Sequence, residues 1–242
     1  MDSASNDASS EQHCRLYLIT RPVVPDFQFA GTAEALAAAL DAGDVACVRL
    51  ALGTHDEDIV TRAAKALMPE CHSRGVAFIL SNSVSVACAI GADGVHLSDS
   101  VGVGPARHTL GADAIIGVCC GFSRHAALVA AEAGADYVAF GPAFPANRGT
   151  EERAHGKGSL AASPDVLKAI AWWHEITVVP CVAFSGIRAD NLEALATAGA
   201  DFLAVGSALW AEADGVPYAE VSAVARNMSG LNAAVARARM NC

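Results

Sequence analysis

Eight short apolar runs, nearly every one followed by a longer Ala-rich stretch of helical period, constrain the fold of this chain more than any other feature. The runs are Leu16 to Thr20, Val45 to Leu50, Val76 to Leu80, Gly94 to Leu97, Ile115 to Cys119, Tyr137 to Phe140, Val178 to Ala183 and Phe202 to Val205. Such a rhythm is that of repeated βα units around a parallel sheet, whose strands are covered by the helices that connect them. Eight strands favour closure, so the expected fold class is α/β, a single (β/α)8 TIM barrel. A length of 242 residues, 53% hydrophobic and 17% charged, suits one such domain with a large core. The barrel is expected over residues 15–242. Residues 1–14 are expected to form a disordered tail, because Met1 to Gln12 is rich in Ser, Asp and Asn and lacks the basic and apolar regions of a signal peptide.

Charge and composition exclude several functions. A formal net charge of -10 without a cluster of Lys and Arg argues against nucleic acid, whose phosphates demand such clusters. No apolar stretch runs for about 18 residues without Gly or charge, so no membrane span is expected. The eight cysteines form no CxxC pair, and several sit in apolar runs where free thiols behave as small hydrophobes. A reducing, cytoplasmic setting is expected. Trp172 and Trp173, near the end of a helical stretch, read as packing, with a subunit contact and hence a homo-oligomer left open.

Gly-Ala-Asp recurs at Gly91, Gly111, Gly134 and Gly199, each time between a helical stretch and an apolar run. The glycine suits the left-handed residue that ends a helix, and the aspartate then enters the next strand at its N-terminal end. That end of a barrel serves stability, so Asp93, Asp136 and Asp201 are expected to be structural. One connection breaks the rhythm. Gly141 to Pro164 is long, rich in Pro and Gly, and carries Arg148, Arg153, His155 and Lys157, which reads as a mobile basic loop on the active face.

Two small-residue loops follow the last two runs. Phe184-Ser185-Gly186-Ile187 precedes a helix expected to start near Asp190, and Gly206-Ser207-Ala208-Leu209 follows the eighth run. Glycine lets backbone N–H groups approach an anion, Ser207 adds a hydroxyl, and barrels frequently hold phosphate in these two loops. The partner expected is a phosphate-bearing small molecule, bound by Ser185, Gly186, Gly206 and Ser207.

The strings Gly91-Ala92-Asp93-Gly94-Val95-His96-Leu97, Ile116-Gly117-Val118 and Gly134-Ala135-Asp136-Tyr137-Val138, the last running into Phe140-Gly141-Pro142-Ala143-Phe144-Pro145, resemble the thiamine-phosphate synthase and thiazole tautomerase superfamily. The resemblance runs from Leu16 to about Trp210, and it is that of a divergent member. It implies a transferase of thiamine biosynthesis that joins hydroxymethylpyrimidine diphosphate to thiazole phosphate and releases diphosphate. It also implies Mg2+, which neutralises the departing diphosphate while a pyrimidine cation forms.

The departures from the family pattern concentrate at the mouth. Where members read Gln, Arg and Lys at alternate positions after the second strand, this chain has Arg49, Ala51 and Gly53. Asn-Asp-Arg, with its magnesium aspartate, becomes Ser81-Asn82-Ser83. The second magnesium aspartate aligns with Val101, with Asp99 two residues earlier as the candidate metal ligand. The tautomerase histidine becomes Gly121, and the basic residue after the Phe-Pro turn is met by Arg148 displaced by one position. The resemblance assigns catalytic roles to His96 and Arg49 and substrate contacts to Ser81, Asn82, Cys119 and Arg148. Cys119 and Cys120 are adjacent, so strand alternation sends them to opposite sides. These substitutions raise a second reading, a non-catalytic binder or regulator of thiazole phosphate or thiamine phosphate on the same barrel. A different phosphosugar-type isomerase or lyase needs an acid/base pair, and strand ends offer only His96.

Overall fold

The computed structural model describes residues 14–20, 29–144, 161–210 and 220–240. Eight parallel strands close in chain order, the first pairing with the last. They are β1 (Arg15–Ile19), β2 (Val45–Leu50), β3 (Ala77–Ser81), β4 (Gly94–Leu97), β5 (Ile115–Gly121), β6 (Tyr137–Phe140), β7 (Cys181–Phe184) and β8 (Phe202–Val205). Around them run α1 (Phe29–Ala42), α2 (Glu57–His72), α3 (Val84–Ile90), α4 (Val103–Leu110), α5 (Arg124–Glu132), α6 (Pro164–Ile176) and α7 (Glu193–Thr197). A single turn, α8 (Ser207–Trp210), follows β8, and the long α9 (Val221–Met240) takes the eighth outer position by packing on α1 and α7.

The expected strands are all present. The seventh starts at Cys181 rather than Val178, because the Val179 amide donates to Thr177 Oγ1 at 3.1 Å in a turn that leaves Val178 98% exposed. Cys14, at the boundary drawn for the tail, is buried, and its carbonyl accepts from the Arg239 guanidinium.

Strand alternation divides the apolar side chains into two layers. Leu16, Leu18, Val48, Leu80, Val95 and Val138 face outward into the main core beneath the helices. Tyr17, Cys47, Ile79, Tyr137, Val182 and Ala204 point inward and fill the barrel. The filled interior closes the N-terminal end and leaves the polar inward residues at the other end, where the loops gather.

The Gly-Ala-Asp repeat has the expected geometry. Gly91, Gly111, Gly134 and Gly199 all have positive φ. Asp93 at the head of β4 accepts the Phe78 amide of β3 at 2.6 Å, and Asp136 before β6 accepts Ile116 of β5 at 2.7 Å. Asp201 before β8 accepts Cys181 of β7 at 2.8 Å. Each carboxylate thus staples an even strand to the odd strand before it by a charge-assisted bond to an amide that the parallel ladder leaves unpaired. Asp93 is also bonded to His72 and Asp136 to Arg107, so none of the three is free for chemistry.

Candidate active site

A cavity of about 560 Å3 opens at the C-terminal ends of β1, β2, β7 and β8, within the size range of small-molecule sites. Its walls include Ser185, Gly186, Gly206 and Ser207, the four residues expected to hold phosphate, together with Arg49 and Trp210. Ser185 and Gly186 follow β7 with φ of 76° and 74°, a double left-handed turn that reverses the chain at the strand end. A Cβ at Gly186 would lie 2.7 Å from Phe144 Cβ, so the position admits only glycine without rearrangement. Asn191, 8% exposed, shapes this loop from below: its Nδ2 donates to the Gly186 carbonyl at 3.0 Å and its Oδ1 accepts the Arg188 amide at 2.8 Å.

The helix after β7 begins at Glu193 and has five residues, so the expected start near Asp190 is corrected. Asp190 instead sits in the preceding turn, paired with Arg188 at 3.0 Å. The single turn α8 does open at the cavity. Its first residues, Ser207 and Ala208, have no carbonyl one turn back within the helix, which leaves their amides available to a ligand. Trp210 Nε1 donates to the Ile19 carbonyl at 2.8 Å and ties this turn to β1.

Arg49 lies on the inward face of β2 and reaches the same cavity. Among the described residues its Nε is the one fully buried side-chain nitrogen or oxygen without a partner. An unpaired buried donor on a cation is costly, and an anion in the cavity would complete it. The Arg49 charge also acts on the Tyr17 hydroxyl and on His96. The Tyr17 and Tyr137 hydroxyls are 3.0 Å apart, and Tyr137 Oη lies 2.8 Å from His96 Nδ1. His96, 7% exposed, stacks on the Tyr137 ring with centroids 5.7 Å apart. Burial, and then the Arg49 charge, push its pKa down to about 3, so it is neutral near physiological pH. A proton-transfer role for His96 at neutral pH therefore lacks support, while a hydrogen-bonding role is open to it.

The remaining expected residues are spread around the rim. Ser81 ends β3 in register with His96. Asn82 has a φ of 54°; its amide donates to the His96 carbonyl and its Oδ1 accepts the Ser98 amide, both at 2.9 Å. Its carbonyl oxygen thus clamps the ends of β3 and β4, leaving Nδ2 for a ligand. Asn82 and Ser185 are the non-glycine residues with positive φ among those described, and both stand at strand ends on the mouth, where backbone strain tends to gather at functional sites. Cys119 is half-buried and inward while Cys120 is buried and outward, as alternation requires. Arg148 lies outside the described residues.

Asp99 Oδ1 accepts the Val101 amide at 3.0 Å and caps the 3-10 turn Ser100–Gly102, and Ser81, Asn82 and Ser83 are uncharged. No group of three or more His, Cys, Asp or Glu able to hold a cation occurs among the described residues. One oxygen of the Asp99 carboxylate is thus engaged in the cap of its own turn.

Sequence reasoning missed Tyr17, Tyr137, Asn191 and Trp210. The tyrosines were visible as polar-tipped aromatics at inward positions of apolar runs, the one signal that distinguishes them from ordinary strand formers.

Fold and cavity together define a (β/α)8 barrel with a cavity at its mouth beside the last two strands. Residues 16–209 match the family described as thiamine monophosphate synthase. A thiamine-phosphate synthase of Rhodospirillum centenum is 47% identical over 90% of this chain and 99% of its own length. One from Hyphomonas neptunium is 39% identical over 90% and 96%. Thiamine phosphate pyrophosphorylase from Pyrococcus furiosus superposes with a TM-score of 0.71 at 24% identity over 94% of this chain and 98% of that one, a likeness of fold. The chain belongs to the thiamine monophosphate synthase family. No helix among the described residues is long and apolar enough to cross a membrane.

Proposed function

We propose that this protein is a thiamine-phosphate synthase, joining hydroxymethylpyrimidine diphosphate to thiazole phosphate with release of diphosphate. The observation that carries the reading is the unpaired, buried Arg49 Nε at a cavity whose other wall is the Gly186 and Gly206-Ser207 loops. In this reading the thiazole phosphate takes the amides and hydroxyl of the two loops, and Arg49 supplies positive charge from the facing wall. His96 and Asn82, on the far side of the mouth, meet the pyrimidine as hydrogen-bonding groups. Long sequence matches to proteins named for this activity support it.

The uncharged Ser81-Asn82-Ser83 segment favours the second reading, a barrel that keeps the phosphate grip without the coupling. Incubating the protein with both substrates, with and without Mg2+, and quantifying thiamine phosphate by mass spectrometry separates the two. Metal-dependent product that disappears in His96→Ala supports the synthase. Absence of product, with calorimetric binding of thiazole phosphate intact, supports the binder.

A further inference from the structure

The inside of the barrel holds a hydrogen-bonded chain, Tyr17 to Tyr137 to His96, beside the Arg49 charge, and its direction follows from which groups own protons. The Tyr17 hydroxyl has one proton, and Tyr137, 3.0 Å away, is the hydrogen-bonding partner it has among the described residues. If Tyr137 donated to Tyr17 instead, the Tyr17 proton would lie in the packed interior without an acceptor. The orientation that uses every proton therefore runs one way: Tyr17 donates to Tyr137, and Tyr137 donates to His96 Nδ1 at 2.8 Å. The Arg49 charge favours the same direction, because it turns the hydroxyl protons away from itself.

A neutral imidazole that accepts at Nδ1 carries its proton on Nε2. His96 Nε2 has no protein partner among the described residues, and since Arg49 Nε is the one fully buried unpaired side-chain atom there, Nε2 touches solvent. We propose that Tyr137 is a positioning residue that sets the tautomer of His96, so that His96 presents an N–H donor at the mouth and selects a substrate atom with a free lone pair. Gly117 is part of the device: a Cβ there would fall 1.8 Å from the Tyr137 ring, so only glycine lets the phenol reach His96. Resting on the proposed synthase reading, the acceptor is an unprotonated ring nitrogen or an oxygen of the pyrimidine substrate.

The test uses the full chain, ligand-free, labelled with 15N at histidine. Long-range 1H–15N correlation spectra identify the tautomer of each ring, and His96→Gln assigns the His96 signals by their loss. The expected result is His96 as the Nε2–H form with Nδ1 shifted as a hydrogen-bond acceptor, a shift that disappears in Tyr137→Phe. In the same variant KM for hydroxymethylpyrimidine diphosphate rises about tenfold while KM for thiazole phosphate holds, a split that general loosening of the barrel would not give. A wild-type Nδ1–H tautomer, or 15N shifts unchanged in Tyr137→Phe, overturns the proposal. Should that variant fail to fold, the wild-type spectrum alone decides. An Nε2–H tautomer in a protein with no coupling activity would overturn the synthase reading and leave this assignment standing.

Discussion

Arg49 combines a buried, unpaired Nε with a position on the cavity wall, and both follow from placing a cation on the inward face of an otherwise apolar strand. Replacing it with Met keeps the side-chain length and removes a charge that the apo protein leaves partly unsatisfied. Arg49→Met is expected to unfold in denaturant within about 1 kcal/mol of wild type, or later, while losing at least about tenfold in affinity for thiazole phosphate by calorimetry. A strongly destabilised variant with normal affinity would place Arg49 in the scaffold instead. The two loop glycines make a second contrast. A Cβ at Gly206 would meet Ile19 at 3.5 Å, an ordinary contact, so Gly206→Ala should fold normally and narrow the phosphate cradle. Gly186 has a φ of 74° and a Cβ there would press on Phe144, so Gly186→Ala is expected to cost about 1–3 kcal/mol in a thermal or denaturant melt.

Among the elements, strand pairs carry the most regular design. The three aspartates that head β4, β6 and β8 each reach back to an amide of the strand before, and the repeat that encodes them stands openly in the sequence. Asp136→Ala would leave the Ile116 amide without its partner and remove the ion-pair partner of Arg107, whose guanidinium keeps its backbone acceptors. It is expected to lower stability by about 2 kcal/mol with KM for both substrates unchanged, as measured by denaturant unfolding beside steady-state kinetics. A change in KM would mean that the N-terminal face communicates with the mouth. The strands were legible because a parallel barrel writes each one as a continuous apolar run. The helix after β7 was misjudged because Asp190 has the composition of a helix start, whereas its carboxylate is taken by Arg188 two residues away. Local composition could not separate an ion-paired turn aspartate from a cap.

Over the whole molecule, the site was legible where it depends on loops and obscure where it depends on the interior. Gly186, Gly206 and Ser207 announce themselves by residue type at the right strand ends. The Tyr17–Tyr137–His96 chain does not, since its partners lie 120 and 41 residues apart and only barrel closure brings them together. Trp210 and Ile19 are 191 apart, and their bond likewise exists only once β1 meets β8. That buried chain also affects the response of the fold to acid. His96 has its pKa lowered to about 3 in the folded state, first by burial and then by Arg49. The unfolded chain, with an ordinary histidine near pH 6.5, binds the proton more readily, so this contribution to stability is present in full above about pH 6.5 and fades as the pH falls toward about 3. His96→Gln should flatten that part of the stability–pH curve, by chemical denaturation at several pH values; an unchanged slope would show His96 to be protonated like a surface residue.

In the proposed function the two substrates are joined at the mouth beside β7 and β8. The measurement that reaches it most directly is the initial rate of thiamine phosphate formation by wild type and by Gly206→Ala, followed side by side as thiazole phosphate is varied. The account predicts product from wild type, and from a normally folded Gly206→Ala a KM for thiazole phosphate raised about tenfold with kcat far less affected. No product from wild type, or identical kinetics in the two proteins, would contradict it.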